Sequence, residues 1–294
     1  MQTEARNPLS ENIDLMTTEN ILKVINDEDK KVPYAVERAL PQVSLFVELC
    51  VDTIKTGGRL VYVGAGTSGR LGVLDAAECP PTYGTSESVI IALIAGGNTA
   101  LRRAVEGAED DENSAVTDLK SISFSSKDVL LALSASGRTP YAISAVKHAK
   151  KMGSKTGCVC CNANAPLASI VDIPIVVEVG PEVIAGSTRM KAGTAQKLVL
   201  NMISTAIMIK LGRVYKNYMV EVQPVTSKTK TRAVKMVSEI CGVNEELALS
   251  ALTKSNFDVK AAIVMCRLGV DEKEAKRILD LHERNLRRVF GEYA

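Results

Sequence analysis

Between Asn20 and Thr56, apolar residues recur at three- and four-residue steps: Ile21, Val24 and Ile25, then Val36, Leu40, Val43, Phe46 and Val47. That spacing predicts amphipathic helix, and Pro33 and Pro41 fit at first-turn positions, where a missing N–H costs nothing. After Gly57 and Gly58 the periodicity changes. Short runs rich in branched apolar residues, at Leu60–Val63, Val89–Ala95, Val129–Leu133, Thr156–Cys160 and Ile173–Val179, alternate with helix-length segments. Continuous apolar runs bounded by Gly, Ser and Pro predict strands buried on both faces, hence an α/β domain around a five-stranded parallel sheet of flavodoxin-like type.

A long amphipathic stretch, about Lys191 to Lys210, closes that domain. The segment "VEVQPVTSKTKTRA" then leads to a tail that reads, from about Val234, as three short helices, with Gly242 and Gly269 at helix ends and acidic helix starts after each. The pattern thus predicts an N-terminal helical segment over residues 1–56 packing on a core domain over 57–222. A linker and small C-terminal helical domain follow over 223–294. That last domain reads either as a plain bundle or as a peptide-binding module similar to ubiquitin-associated domains.

The first strand runs into Gly64-Ala65-Gly66-Thr67-Ser68-Gly69, a G-x-G-x-x-G spacing. A dinucleotide site also needs an acid about 20 residues on, at the end of the second strand, to hold the ribose. The second strand ends in Ala95-Gly96-Gly97-Asn98, and Glu87 lies before it, so the ribose hook is absent. A second strand-loop-helix unit carries Ser134-Ala135-Ser136-Gly137-Arg138-Thr139, whose Ser-Gly-Arg mirrors Ser68-Gly69-Arg70. Two hydroxyl-rich loops at helix N-termini suit one phosphate monoester better than a pyrophosphate. In a sheet ordered 2-1-3-4-5, loops after the first and third strands meet at the switch point. The candidate phosphate ligands are Gly66, Thr67 and Ser68 from the first loop and Ser134, Ser136, Gly137 and Thr139 from the second.

Composition narrows the function classes. Lys and Arg number 36 against 34 acids, and aromatic residues make up 4% with no Trp, which gives little support to a nucleic-acid partner. No apolar run approaches a membrane span, and the polar N-terminus lacks a secretory h-region, so a cytoplasmic protein with no membrane contact is expected. Of seven cysteines, Cys158, Cys160 and Cys161 fall on one strand with no nearby His. They read as small buried hydrophobes in a reducing compartment, against a redox or metal role.

The blocks "INDEDKKVPYAVERALP", "GAGTSGRLGVLDAAECPPTYG", "LIAGG", "AVEGAED", "ALSASGRTPY" and "GSTRMKAGTAQKLVLNM" occur in order. From about Ile25 to Gly212 the chain resembles the N-acetylmuramic acid 6-phosphate etherase family, built on the sugar isomerase (SIS) phosphosugar-binding domain. The resemblance implies a homodimeric lyase of cell-wall amino sugar recycling that uses no metal or nucleotide cofactor. It implies cleavage of the D-lactyl ether at C3 of the phosphosugar by elimination and then water addition. Such chemistry asks for a base at C2 and an acid at the leaving alkoxide, roles two carboxylates with separated pKa values can share.

By motif the family's two catalytic glutamates fall on Glu78 in "AAECPPT" and Glu109 in "EGAED". Glu78 is assigned to proton transfer at the leaving lactate and Glu109 to the other step, at C2 or on the water; the reverse assignment remains open. A helix from Ser68 to Glu78 would span about 15 Å, longer than the reach from a sugar's phosphate to its C3. Either Pro80-Pro81 ends the helix early and turns Glu78 back, or Glu78 completes a neighbouring subunit's pocket.

Ser187, Thr188, Arg189 and Lys191 at the start of the long helix either close over the sugar or cap and solvate that helix. In the linker, Lys228 and Arg232 match the family's N-E-K-L-x-x-R pattern as sugar contacts, whereas Thr226 and Ser227 replace its Asn and Glu. Two other readings stay open. One is a non-catalytic sugar-phosphate sensor similar to the glucokinase regulatory protein. The other is an aldose-ketose isomerase, against which stands the placement of the only histidines, His148 and His282, outside the matching blocks.

Overall fold

The computed structural model describes residues 2–222 and 224–291. After three single 3-10 turns (Gln2–Glu4, Pro8–Ser10 and Ile13–Leu15) come three α-helices: α1 (Thr18–Asp29), α2 (Lys31–Arg38) and α3 (Leu40–Lys55). Pro33 and Pro41 both sit in first turns, as the periodicity allows. Five strands follow, β1 (Leu60–Gly64), β2 (Ile90–Ile94), β3 (Val129–Leu133), β4 (Lys155–Cys160) and β5 (Ile173–Val176), joined by α4 (Gly66–Tyr83), α5 (Gly97–Arg102), α6 (Glu112–Ser121), α7 (Pro140–Lys151) and α8 (Pro166–Ile170). Helix α9 (Lys191–Lys210) comes next. The expected sheet is present: every pair is parallel and the order is β2-β1-β3-β4-β5.

Alternation along the strands sorts the core into two layers. Val61, Val63, Leu130, Ala132, Cys158 and Cys160 join one cluster with side chains of α6, α7 and α8. On the other face a Cβ at Gly157 would come 2.5 Å from the Phe46 ring, and one at Gly72 would come 3.2 Å from Tyr62 Cβ, so α3 and α4 lie close against the sheet. At the N-terminal edge, Asp128 takes Arg59 Nε at 2.9 Å and Nη2 at 2.8 Å and the Arg59 backbone N–H at 3.1 Å, tying β1 to the turn before β3. Cys158, Cys160 and Cys161 are buried in this core as free thiols, and burial pushes the Cys161 thiol up, away from reactivity.

Two compact units emerge, residues 1–77 with 87–205 and residues 78–86 with 206–294. The division falls inside α4 and α9 rather than at residue 223, because Tyr215, Val220 and Val222 contribute to the second unit's core. Where the pattern reads as three helices, that unit holds α10 (Ser227–Cys241), α11 (Glu245–Lys254), α12 (Val259–Leu268), α13 (Glu272–Leu281) and the short α14 (Leu286–Phe290). Gly242 and Gly269 end α10 and α12 with φ of +68° and +66°, as expected of C-terminal glycines. A buried Lys260 anchors this bundle through the carbonyls of Gly212 (2.8 Å) and Arg284 (2.6 Å) and the Glu221 carboxylate.

Candidate functional site

Strand β1 pairs with both β2 and β3, so the sheet's order reverses there, and Gly64 at its end lies opposite Leu133. The loops after β1 and β3 therefore leave the sheet side by side, as the switch-point argument requires. Glycine is needed at the first turn by close approach: a Cβ on Gly69 would stand 2.7 Å from the Gly64 carbonyl oxygen and 2.6 Å from Ile94 Cγ1. Gly66 starts α4 at φ +54° and is exposed, Thr67 is half-buried, and Ser68 is buried on the first turn.

The second loop gathers its hydroxyls. Ser134 Oγ shares hydrogen bonds with Thr139 Oγ1 at 2.8 Å and Ser136 Oγ at 3.5 Å, and accepts the Gly137 N–H at 3.0 Å. Ser136 Oγ accepts the Arg138 N–H at 3.2 Å. Gly137, at φ +68°, admits Ala165, whose Cβ lies 2.4 Å from where a Gly137 Cβ would sit. Asn162, buried beyond β4, holds the loop by donating to the carbonyls of Ala135 (3.4 Å) and Ser136 (3.2 Å). The motif reading missed Asn162, which lies outside every quoted block.

Helix α9 brings its first turns to the β1 loop. A Cβ on Gly193 would meet Thr67 Cγ2 at 3.4 Å, and Ser68 Oγ donates to Gln196 Oε1 at 2.9 Å. The other half of that amide, Gln196 Nε2, is buried with no hydrogen-bond partner, an arrangement that costs about 1–3 kcal/mol. Ser187 is half-buried four residues before Lys191. Lys191 itself is 1% exposed and its amine meets the Glu28 carboxylate, which Lys31 also approaches. It therefore does not solvate the start of α9; Glu182 caps that start by accepting the N–H groups of Lys191 (3.0 Å) and Ala192 (2.9 Å). Burial would raise the Glu28 carboxyl, but its bonds to Lys191 and Lys31 outweigh burial and hold it below the ordinary range.

On the inner side of α4, Asp75 accepts the Tyr62 hydroxyl at 3.0 Å and the Ser204 hydroxyl at 2.9 Å. Burial pushes its carboxyl up to about 6, against the lowering effect of those two bonds and of Lys197.

Glu109 lies exposed on a single 3-10 turn, Ala108–Asp110, entered through Gly107 at φ +73°. That turn packs against α7, the helix that begins at the second loop. Glu78 is exposed on α4, and its segment belongs to the second unit. The helix is not ended by Pro80-Pro81: it runs through both to Tyr83 and stops at Gly84, φ +61°, whose N–H reaches the Pro80 carbonyl at 2.9 Å. Each proline forgoes the N–H bond to the carbonyl four residues back, yet the helix continues through both, so the expected early turn of Glu78 does not occur. Lys228 and Arg232 stand exposed one turn apart on α10, also in the second unit. Thr226 and Ser227, the departures from the family pattern, begin that helix; Thr226 caps it reciprocally with Thr229. Among the described residues no group of His, Cys, Asp and Glu is placed to hold a metal ion, and no helix is long and apolar enough to cross a membrane.

Comparison with known proteins fits this geometry. A family model for the SIS domain matches residues 111–206, and one for the N-terminal SIS domain of the glucokinase regulatory protein matches residues 42–150. The chain is 50% identical over 279 residues to the N-acetylmuramic acid 6-phosphate etherase of Caldanaerobacter subterraneus subsp. tengcongensis, covering 95% of this chain and 91% of the relative. It is 51% identical over 278 residues to the protein of that name from Photobacterium profundum, covering 95% and 92%. The solved phosphoheptose isomerase of Francisella tularensis shares the fold, with a TM-score of 0.51 at 17% identity over 65% of this chain and 98% of that one.

Proposed function

The chain belongs to the N-acetylmuramic acid 6-phosphate etherase family, and from that premise we propose that it cleaves the D-lactyl ether of N-acetylmuramic acid 6-phosphate to N-acetylglucosamine 6-phosphate and D-lactate. The carrying observation is identity of about one half over nearly the whole length of proteins bearing that name. The paired hydroxyl loops at the switch point support it: they offer N–H groups and hydroxyls to one phosphate monoester.

With the phosphate anchored by Thr67, Ser68, Ser134, Ser136 and Thr139, the sugar opens to its C1 aldehyde, which acidifies the C2 proton. One glutamate removes that proton. The other protonates the C3 oxygen as the bond to lactate breaks, leaving a C2=C3 double bond conjugated to the aldehyde. The same two groups then reverse roles: water adds its oxygen to C3, a proton returns to C2, and the ring closes. The net change is the substrate plus water giving the two products. In this reading Glu109 works at C2 or on the water and Glu78 at the leaving lactate, or the two in reverse, with Lys228 and Arg232 as further sugar contacts.

The active form is proposed to be a homodimer in which Glu78 completes the neighbouring subunit's pocket. The unbroken course of α4 supports this reading, because about 15 Å of helix from Ser68 to Glu78 exceeds the span of the substrate from phosphate to C3. Incubation with N-acetylmuramic acid 6-phosphate, with products resolved by mass spectrometry, tests the activity. D-lactate and N-acetylglucosamine 6-phosphate are expected; binding without lactate release points to a sensor, and a ketose product to an isomerase.

A further inference from the structure

We propose that Gln196 is a positioning residue of the phosphate site, setting by the orientation of its amide whether the Ser68 hydroxyl can donate to phosphate. The proposal rests on the reading of Ser68 as a phosphate ligand. A serine hydroxyl has one proton, and here it is given to Gln196 Oε1 at 2.9 Å. A phosphoryl oxygen accepts hydrogen bonds and donates none when ionised, so Ser68 serves it only after that proton is released.

The amide already holds the means of release. Gln196 Nε2 carries two N–H groups, is shut off from solvent and has no partner, so an incoming phosphate cannot reach it directly. A half-turn of the terminal amide puts Nε2 where Oε1 now stands. Nε2 then donates to Ser68 Oγ, and the hydroxyl turns its proton outward to the ligand. The exchange replaces a buried, unpaired N–H pair with a buried carbonyl, the orphan that proteins tolerate better. The placement is local to the loop: three residues before Gln196, Gly193 lies against Thr67. Gln196 touches no reacting atom in this account and acts through Ser68 alone.

The test is a double-mutant cycle read as the Kd of inorganic phosphate by calorimetry at pH 8, a readout independent of turnover. Gln196→Glu supplies only acceptors at that position and holds the Ser68 proton inward. It is expected to weaken phosphate binding about tenfold in the Ser68 background and by about threefold or less in a Ser68→Ala background. Lowering the pH toward 5 protonates the new carboxyl, which can then donate to Ser68, so the deficit relative to wild type should shrink. Gln196→Met, which leaves the hydroxyl free and removes the unpaired amide, should bind phosphate within about threefold of wild type. An equal penalty for Gln196→Glu in both backgrounds, or a tenfold loss in Gln196→Met, would overturn the positioning role. Wild-type protein that binds phosphate yet releases no lactate would instead refute the proposed activity and leave this test intact.

Discussion

Asp75→Asn should stabilise the protein at alkaline pH and lose that advantage in acid. The carboxyl is 8% exposed on the inner face of α4, and burial lifts it from an ordinary 3.8 to about 6. The folded protein thus holds this proton more tightly than the unfolded chain does. Between the two values the unfolded chain has lost the proton while the folded one keeps it, so stability falls as pH rises through the window. Above about 6 the penalty is complete. A rise of about 2 at 1.36 kcal/mol each corresponds to about 3 kcal/mol. Two of its neighbours, Tyr62 and Ser204, donate to this carboxyl through hydroxyls, and a hydroxyl can turn to accept from the new amide N–H. Urea unfolding of wild type and variant at pH 4, 6 and 8 gives the comparison. The variant should gain up to about 3 kcal/mol at pH 8 and close to nothing at pH 4. A difference that does not change with pH, or a variant less stable at pH 8, would refute the account of Asp75 as a buried carboxylate ionised at a cost.

The proposed catalytic role of the two glutamates predicts a separate outcome: Glu78→Gln and Glu109→Gln should each lower kcat by about 10²–10⁴-fold with product-sugar binding nearly unchanged, as measured by a D-lactate assay beside calorimetry. Mixing Glu78→Gln chains with Ser134→Ala chains should regain roughly a quarter of wild-type activity, because half of a random mixture is heterodimer and one of its two sites is whole; no regain in confirmed heterodimers would place Glu78 in its own subunit's site. Lys191→Met leaves Glu28 buried with only the half-exposed Lys31 as partner and should cost about 3–5 kcal/mol in chemical denaturation. A cost below about 1 kcal/mol would mean that the pair is solvated.

The sheet was legible because strands covered on both faces do not alternate with polar residues, so the five read as short runs rich in apolar residues. The two hydroxyl-rich loops were legible for a related reason: Gly69 and Gly137 sit where a Cβ would strike the neighbouring backbone or side chain, and hydroxyls cluster beside them. Local pattern says less where long-range contacts decide. Pro80 and Pro81 read as a stop, yet α4 continues through both to Tyr83 although each lacks an N–H for the carbonyl four residues back. Lys191 reads as a group that either closes over the sugar or caps and solvates a helix start, but its partner Glu28 lies 163 residues away in the chain. Asn162 carried no motif signal, and Gln196 stands inside the block "GSTRMKAGTAQKLVLNM" without a role assigned to it, since an amide declares its role only through what it touches. The second unit's boundaries were hidden because Tyr215, Val220 and Val222, within the stretch that reads as the end of the core domain, contribute to the second unit's core.

The central claim is elimination followed by hydration, and the position of solvent oxygen in the products tests it directly. In oxygen-18 water, N-acetylmuramic acid 6-phosphate should give N-acetylglucosamine 6-phosphate labelled at C3 and D-lactate without label at its hydroxyl, and in deuterium oxide the product sugar should carry deuterium at C2. Label on the lactate hydroxyl, or a product that keeps its original C2 proton with no exchange, would contradict the mechanism.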